Sequence, residues 1–379
     1  MKVDVVGGGI AGLAVAVGLQ RAGATVTVRE RQPDATQNGS GLSLFRNGLA
    51  ALEALGLADA VRAAAGRSPE YPSGLRLPSG RWMSRFSGQA IADLRIIERQ
   101  RLHDVLHSPL RPGTVHFSSP VSNDERSSST GGGHGDADLV VAADGIRSSL
   151  RAGWPDDPGA RYAGYFAFRA ITAEPVPLDA SGETWGAGRR FGVGPLSDGR
   201  VYWFATVNGS RDDPPPVDRA ELERLFGGWH QPIAAILGAT PPKAISLLPI
   251  DELSRCPASL WRGNVVLVGD AAHAMTPNLG QGANLALEDA ATLVGLLAPY
   301  AAQAHPPQDQ IRRALEAYQQ RRSARVRAIW RRSRQIGTLG QWEHPAAVRI
   351  RDAVFSRLPD GPVNAASVTL QSWTPTLDR

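Results

Sequence analysis

The chain has 379 residues, of which 42% are hydrophobic and 20% charged, so it has the composition of a folded globular protein with room for two or three domains of about 150 residues. The 41 basic and 36 acidic residues give a net charge of +5. Because there is no nucleic-acid motif and no apolar run near the roughly 20 residues of a membrane span, neither a nucleic acid nor a membrane is an expected partner.

The cysteine content indicates a reducing compartment. Cys256 is the single cysteine, which excludes an internal disulfide and a cysteine-based zinc site, and no metal site is predicted. Met1 and Lys2 lead directly into Val-Asp-Val-Val, which predicts a strand and not a signal peptide. We therefore expect a cytoplasmic protein.

The first 30 residues predict a dinucleotide-binding βαβ unit. A buried strand at 3–6 is followed by a glycine-rich turn, an apolar helix to about Arg21 and a second strand at 25–28. The N-terminus of such a helix presents free N–H groups and a positive dipole end to phosphates. At this point the pattern leaves open whether the dinucleotide is NAD or FAD.

The glycines of this turn, and the acid that follows the second strand, each have a physical role. Gly7 allows the tight turn, Gly9 lets the backbone approach a pyrophosphate, and Gly12 lets the helix pack closely on the strand. Glu30 lies 18 residues after Gly12, where a carboxylate can accept hydrogen bonds from ribose hydroxyls.

The chain then alternates between helices, turns and strands. Helices are predicted at 47–57 and 96–106, a turn-rich exit from the first domain at 71–80, a loop at 118–136 and a buried strand at 137–143.

From residue 162 the rhythm changes to the alternation of an antiparallel sheet. Strands are predicted at 162–169, 190–193 and 200–207, with a hairpin turn at 196–199. A strand at 264–268 then returns to the first domain. The chain ends in a long helix whose nine arginines between 312 and 334 predict a solvated face.

These elements predict an α/β protein: a Rossmann-like domain, an inserted and mostly antiparallel sheet domain for the substrate, and C-terminal helices. The predicted boundaries are 1–71, 94–161 and 246–305 for the dinucleotide-binding domain, 72–93 and 162–245 for the sheet domain, and 306–379 for the helical segment.

Two further motifs narrow the choice of cofactor. Asp144-Gly145 follows a buried strand, and Gly269-Asp270 follows another and leads into Pro277-Asn-Leu-Gly-Gln-Gly282. Ligands bind at such strand ends in open α/β sheets. In this order and spacing, the three motifs resemble the group A FAD-dependent monooxygenases with the para-hydroxybenzoate-hydroxylase-like fold. The pattern is most similar to the short bacterial branch of salicylate-, urate- and 3-hydroxybenzoate-hydroxylase-like enzymes.

The resemblance implies a set of residues that hold FAD without a covalent link. These are Gly7, Gly9, Ala11, Gly12, Glu30, Arg31, Arg99, Asp144, Gly145, Gly269, Asp270, Pro277, Gly280, Gln281, Gly282 and Asn284. Asp270 would bind ribityl or ribose hydroxyls and Pro277 would lie beside the flavin. The helix that begins after Gly280 would direct its positive end at the reduced, anionic flavin.

The resemblance also implies the reaction. NAD(P)H binds transiently and reduces FAD, O₂ gives a flavin C4a-hydroperoxide, and one oxygen atom hydroxylates or epoxidises a small aromatic, polycyclic or polyketide-like substrate. Arg190 and Tyr202 match the substrate-facing positions, with Arg169 as a further candidate, and an arginine there would hold a carboxylate, phenolate or similar anion. Together with Pro277 they form the predicted reaction environment. His273 is expected to be a buried, hydrogen-bonded side chain, and the protein a monomer or homodimer.

Three other functions stay open at this point. A nicotinamide dehydrogenase would leave the Asp270 motif without a purpose, and a flavin-dependent halogenase is disfavoured because there is no Trp-x-Trp-x-Ile-Pro segment. A flavin-dependent reductase or a non-catalytic FAD-binding protein is compatible with the sequence.

Overall fold

A computed structural model describes residues 1–36, 39–66, 71–121 and 136–375. Most of the predicted loop at 118–136 lies outside these residues. Within them, no helix is both long and apolar enough to cross a membrane.

The first layer is a six-stranded sheet with the order β14-β15-β8-β1-β2-β7. All neighbouring strands are parallel except the edge pair of β14 and β15. The strands are β1 (Lys2–Val6), β2 (Thr25–Arg29), β7 (Val115–His116), β8 (Leu139–Ala142), β14 (Trp261–Arg262) and β15 (Val265–Leu267). Their aliphatic runs are buried because helices cover the sheet, as parallel sheets require.

The helices of this domain pack around one large apolar core. They are α1 (Ile10–Arg21), α2 (Arg46–Ala54), α3 (Ala58–Ala65), α4 (Arg99–His107), α5 (Ser149–Ala152), α8 (Asp270–His273) and α9 (Gly282–Ala301). Helix α1 is buried along almost its whole length because it is enclosed between the sheet, α9 and α4. A small antiparallel pair, β3 (Gly41–Leu44) and β6 (Arg95–Glu98), stands at the border with the second domain.

The second domain is a seven-stranded sheet with the order β13-β9-β12-β11-β10-β4-β5. Its strands are β4 (Ser73–Arg76), β5 (Trp82–Arg85), β9 (Ala160–Ile171), β10 (Ser181–Trp185), β11 (Arg189–Pro195), β12 (Val201–Asn208) and β13 (Ser246–Leu253). Only β4 and β10 pair in parallel. One face packs Phe191 and Trp203 against α6 (Arg219–Phe226) and α7 (Ile233–Gly238). The opposite face points toward the first domain.

The C-terminal segment forms α10 (Gln308–Gly340), α11 (Pro345–Arg357) and α12 (Asp360–Gln371). Helix α10 packs along α9 with Ile311, Leu315 and Tyr318 buried, which is the face that the helical spacing predicts. The predicted fold class, with an antiparallel sheet domain inserted into a Rossmann-like domain, is confirmed.

Three boundaries differ from the sequence-based expectation. The helix predicted at 96–106 begins at Arg99, because residues 95–98 pair with β3 as a strand. The helix predicted at 47–57 ends at Ala54, two residues before Gly56 with its φ of +71°, and a separate helix follows at Ala58–Ala65. Residues 246–253 pair with β9 in the second sheet, whereas the predicted boundary gives them to the first domain.

Candidate functional site

The turn after β1 has the geometry that the glycine pattern predicts. A Cβ at Gly7 would lie 2.3 Å from the Ala143 carbonyl oxygen, and one at Gly12 only 2.0 Å from the Gly7 carbonyl oxygen. At Gly9, in contrast, a Cβ would meet no atom within 4 Å. Two of the glycines thus permit close packing, and Gly9 leaves open space in front of the first turn of α1, where the N–H groups have no partner inside the helix.

Glu30 closes the other side of this turn. Its carboxylate accepts hydrogen bonds from the backbone N–H groups of Gly8 at 2.6 Å and Gln32 at 2.8 Å. His103 lies 3.0 Å from the Gly8 carbonyl oxygen, and burial lowers its pKa. Arg31 follows Glu30 and is exposed. An acid fixed beside the glycine turn fits the predicted ribose contact.

The second motif supplies an acceptor without a partner. Asp144 follows β8, and its Oδ2 accepts hydrogen bonds from the Ser149 N–H at 2.7 Å and from the Ser149 hydroxyl at 3.2 Å. Its Oδ1 is buried and makes no hydrogen bond. Gly145 follows with a φ of +83°. A buried orphan oxygen fits a hydroxyl or N–H donor of a bound cofactor, because leaving such a group unpaired costs about 1–3 kcal/mol.

The third motif packs against the start of the helix that follows the first motif. Gly269 has a φ of +58°, and a Cβ there would lie 2.8 Å from the Cβ of Ala11, so this turn packs directly on the start of α1. Asp270 then opens α8 with its side chain exposed. The motifs that the sequence separates by more than 100 residues therefore meet at one edge of the sheet.

Arg99 connects the cofactor side to the substrate side. Burial lowers its pKa; the nearby Asp270 carboxylate opposes that shift and the Arg169 guanidinium adds to it. Burial raises the pKa of Tyr202, while Arg169 and Arg99 pull it down. Predicted cofactor residues, Arg99 and Asp270, thus lie within electrostatic range of predicted substrate residues, Arg169 and Tyr202.

The segment after α8 consists of short turns that lead into α9. Residues 277–279 form a 3₁₀ turn, Gly280 adopts the left-handed conformation, and α9 begins at Gly282. Pro277 and Gly280 are exposed. The free N–H groups of the first turn of α9 give this end a partial positive charge, suited to an anionic flavin.

Gln281 and Asn284 have their side chains directed into the protein. Gln281 accepts a hydrogen bond from Asn47 Nδ2 at 2.9 Å, and Asn284 accepts one from the Phe45 N–H at 2.9 Å. Both residues are buried. Their contact with the cofactor stays a prediction, and on this geometry it would involve backbone atoms.

One face of the second sheet carries the predicted substrate residues. Tyr202 pairs with Gly194 and Phe204 with Gly192 and Arg169, which puts these side chains on one face. Tyr202, Phe204 and Arg169 are partly exposed. Arg190 lies on the same face but is only 1% exposed, and its contact with a substrate stays a prediction.

A buried ionic network behind the Gly269 turn was not predicted. Asp289 on α9 accepts a hydrogen bond from the Gly269 N–H at 2.9 Å and lies 2.6 Å from His273 Nε2. His273 is thus a buried, hydrogen-bonded side chain, as expected. The acidic pair Glu288-Asp289 inside an otherwise apolar helix could have indicated this network, because fully buried carboxylates need partners.

Comparison with known proteins agrees with this geometry. The FAD binding domain family matches residues 1–108 and 114–333. The aurachin C monooxygenase/isomerase of Stigmatella aurantiaca is 36% identical over 392 residues, covering 99% of both chains. The 2-heptyl-3-hydroxy-4(1H)-quinolone synthase of Pseudomonas aeruginosa is 34% identical over 95% of both.

A solved structure shows the same fold. HpxO of Klebsiella pneumoniae, in complex with FAD and uric acid, superposes with a TM-score of 0.82 at 26% identity, covering 98% of this chain and 96% of that one. The cofactor is accordingly FAD, with O₂ and NAD(P)H as co-substrates, which removes the dehydrogenase alternative. The chain belongs to the FAD binding domain family and, within it, to the FAD-dependent monooxygenases.

Proposed function

We propose that this monooxygenase hydroxylates an uncharged, flat, bicyclic heteroaromatic compound of the 4-quinolone type. The observation that carries the proposal is the pairing of Arg190 with Glu183, which removes the expected anion-binding cation from the substrate face. Bound FAD supplies hydride acceptance and oxygen activation, and the protein residues bind and orient the substrate and exclude water.

The accessible part of the sheet face is aromatic. Phe204 lies so close to Gly192 that a Cβ there would be 2.1 Å from its ring, and Tyr202 covers Gly41 in the same way at 2.5 Å. The glycines thus let two rings spread over the backbone. Such a surface favours a flat aromatic ligand through stacking and apolar contact.

One cation of this face, Arg190, is already paired with a carboxylate. Arg190 Nη1 lies 3.5 Å from Glu183 Oε2, and Arg190 is almost completely buried. Arg169 lies close enough to Arg99 to lower its pKa, which puts its charge beside the cofactor-binding residues. At Arg190, a carboxylate substrate would therefore lose hydration without gaining a free cation, a cost that an uncharged substrate avoids.

The relatives support the same class. The synthase named for 2-heptyl-3-hydroxy-4(1H)-quinolone covers 95% of this chain, and the aurachin C enzyme 99%. Relatives named for an aminohydroxybenzoate and for urate align at 34% and 31% identity over 89% and 88% of this chain.

Stimulation of NAD(P)H consumption tests the proposal. A 2-alkyl-4(1H)-quinolone should accelerate NAD(P)H oxidation by the FAD-loaded enzyme at least about tenfold and yield a hydroxylated product, while salicylate and 4-hydroxybenzoate should not. Stimulation and hydroxylation by the benzoates alone would overturn the proposal.

We also propose that the protein is cytoplasmic and is a monomer or a homodimer. Size-exclusion chromatography with light scattering tests the oligomeric state.

A further inference from the structure

The 277–280 loop packs on an unusually small face of α10. A Cβ at Gly337 would lie 2.1 Å from Asn278 Nδ2, and one at Gly340 would lie 2.9 Å from Arg190 Cδ. Ser333, one turn earlier on the same face, donates from its hydroxyl to the Thr276 carbonyl at 2.5 Å. These positions are small because the side chains of Asn278 and Arg190 occupy the space beside the helix.

The amide of Asn278 has a fixed orientation. Its Nδ2 donates to the Ser333 carbonyl at 3.0 Å, so Oδ1 points away from α10 and accepts hydrogen bonds from Arg190 Nη2 at 2.5 Å and Tyr165 OH at 3.3 Å. Asn278 directly follows Pro277 and is 9% exposed. The residue beside the flavin position is therefore connected to the substrate sheet through a single side chain.

The other edge of the Arg190 guanidinium is held by the end of α10. Its Nε donates to Gln341 Oε1 at 2.8 Å, and the same oxygen accepts from Thr206 Oγ1 at 2.8 Å. Gln341 Nε2 donates to Asn208 Oδ1 at 2.7 Å. With Glu183 facing Nη1, the guanidinium is engaged by the sheet, the 277–280 loop and the C-terminal helix.

We propose that Arg190 is a positioning residue and does not bind the substrate. Together with Asn278 and Gln341 it forms a hydrogen-bonded bridge, the Arg190 bridge, that fixes the 277–280 loop relative to the substrate sheet. The bridge sets the distance between flavin and substrate, where a misplacement of about 1 Å can cost a hundredfold in rate. This role replaces the anion-binding role expected from the sequence.

The test removes the partners and leaves Arg190 in place, because Arg190 variants risk misfolding. Asn278→Leu, Gln341→Leu and the double variant are compared with Thr338→Val, which changes an exposed hydroxyl near the end of α10. The two readouts are iodide quenching of the bound-flavin fluorescence, which needs no substrate, and hydrogen peroxide released per NAD(P)H with a 2-alkyl-4(1H)-quinolone present.

Each leucine variant should at least double the iodide quenching constant and the peroxide fraction, with FAD affinity within about threefold of wild type. The double variant should be little worse than the worse single variant, since the residues act through one bridge. Gln341→Glu keeps the acceptor for Arg190 but loses the donor to Asn208, so its values should lie nearer to wild type than those of Gln341→Leu.

Quenching and peroxide release equal to those of Thr338→Val in all three variants would overturn the bridge. If Arg190 instead binds the substrate directly, Arg190→Lys should raise the substrate KM, and the Asn278→Leu and Gln341→Leu variants should behave like wild type. The Arg190 bridge rests on the proposed function only for the peroxide readout. If no quinolone is hydroxylated, the iodide quenching still shows whether the Arg190 bridge exists, so a wrong substrate can be distinguished from a wrong bridge.

Discussion

Asp289 and Arg322 form an ion pair in which Oδ1 and Nε are 2.7 Å apart and both side chains have no exposed surface. Arg322 also contacts Glu288 at 2.5 Å, so one guanidinium compensates two buried carboxylates. Burial raises the pKa of Asp289, but His273 and Arg322 outweigh that effect and hold the pKa below its ordinary value. The pair connects α10 to the Gly269 turn.

Removal of Arg322 should therefore destabilise the fold strongly. Arg322→Met leaves Asp289 with only His273 and Glu288 with only Arg325 as ionic partners among the described residues, and breaking a buried ion pair in this way costs about 3–5 kcal/mol. Arg313→Met is the matched control, because Arg313 is 75% exposed and pairs with Asp309 on the surface of the same helix, an interaction worth about 0.3–0.5 kcal/mol. Urea unfolding measures both, and equal midpoints would contradict the assignment.

Two glycines of the first turn should separate folding from cofactor binding. Gly9→Ala places a methyl group in open space, so the apoprotein should melt like wild type while FAD affinity falls at least tenfold. Gly12→Ala forces a Cβ to within 2.0 Å of the Gly7 carbonyl oxygen and should lower the Tm of the apoprotein itself. Thermal melts of apoprotein and flavin-fluorescence titrations give both quantities; a destabilised Gly9→Ala apoprotein would place the open space elsewhere.

Glu30 and Asp270 should act on hydroxyl groups of one FAD from opposite ends. A hydrogen bond to a charged group contributes about 1.5–3 kcal/mol, so Ala at either position should weaken FAD binding about tenfold to a hundredfold. Asp270→Ala is the cleaner variant, because Glu30 also accepts hydrogen bonds from Gly8 and Gln32. Calorimetric titration measures the affinity, and wild-type affinity in both variants would remove these residues from the site.

Cys256 should be chemically unreactive near neutral pH. Burial raises the pKa of its thiol to about 11. Since the thiolate is the reactive form, alkylation at pH 8 should be about a hundredfold slower than that of an ordinary thiol and should increase with pH up to about 11.

Because FAD is expected to be held without a covalent link, acid precipitation should release all flavin into the supernatant. Rapid alkylation at pH 8, or flavin retained on the pellet, would contradict this account.

Backbone features of the site were predictable because they depend on local constraints. The glycine turn, the strand ends and the acid after β2 each follow from spacing. The structure has the close packing at Gly7 and Gly12 that the spacing predicts, and Glu30 lies beside the turn. The hairpin turn at 196–199 is equally local.

Side-chain direction was not predictable for residues whose partners lie far along the chain. Arg190 is on the predicted face of the sheet, yet Asn278 and Gln341, 88 and 151 residues away, draw its guanidinium into the interior. The sequence alone gives no reason for the small residues Gly337 and Gly340 on α10. The reason becomes visible only in the structure, where the side chains of Asn278 and Arg190 pack against them.

The most direct test of the central claim follows the oxygen atom. FAD-loaded enzyme, NAD(P)H and ¹⁸O₂ are incubated with a 2-alkyl-4(1H)-quinolone, and the product is analysed by mass spectrometry. We expect a hydroxylated product that carries one ¹⁸O atom, with one NAD(P)H consumed per product molecule in the coupled reaction. NAD(P)H oxidation that yields only labelled hydrogen peroxide, with every aromatic or polycyclic compound offered returned unlabelled, would contradict it.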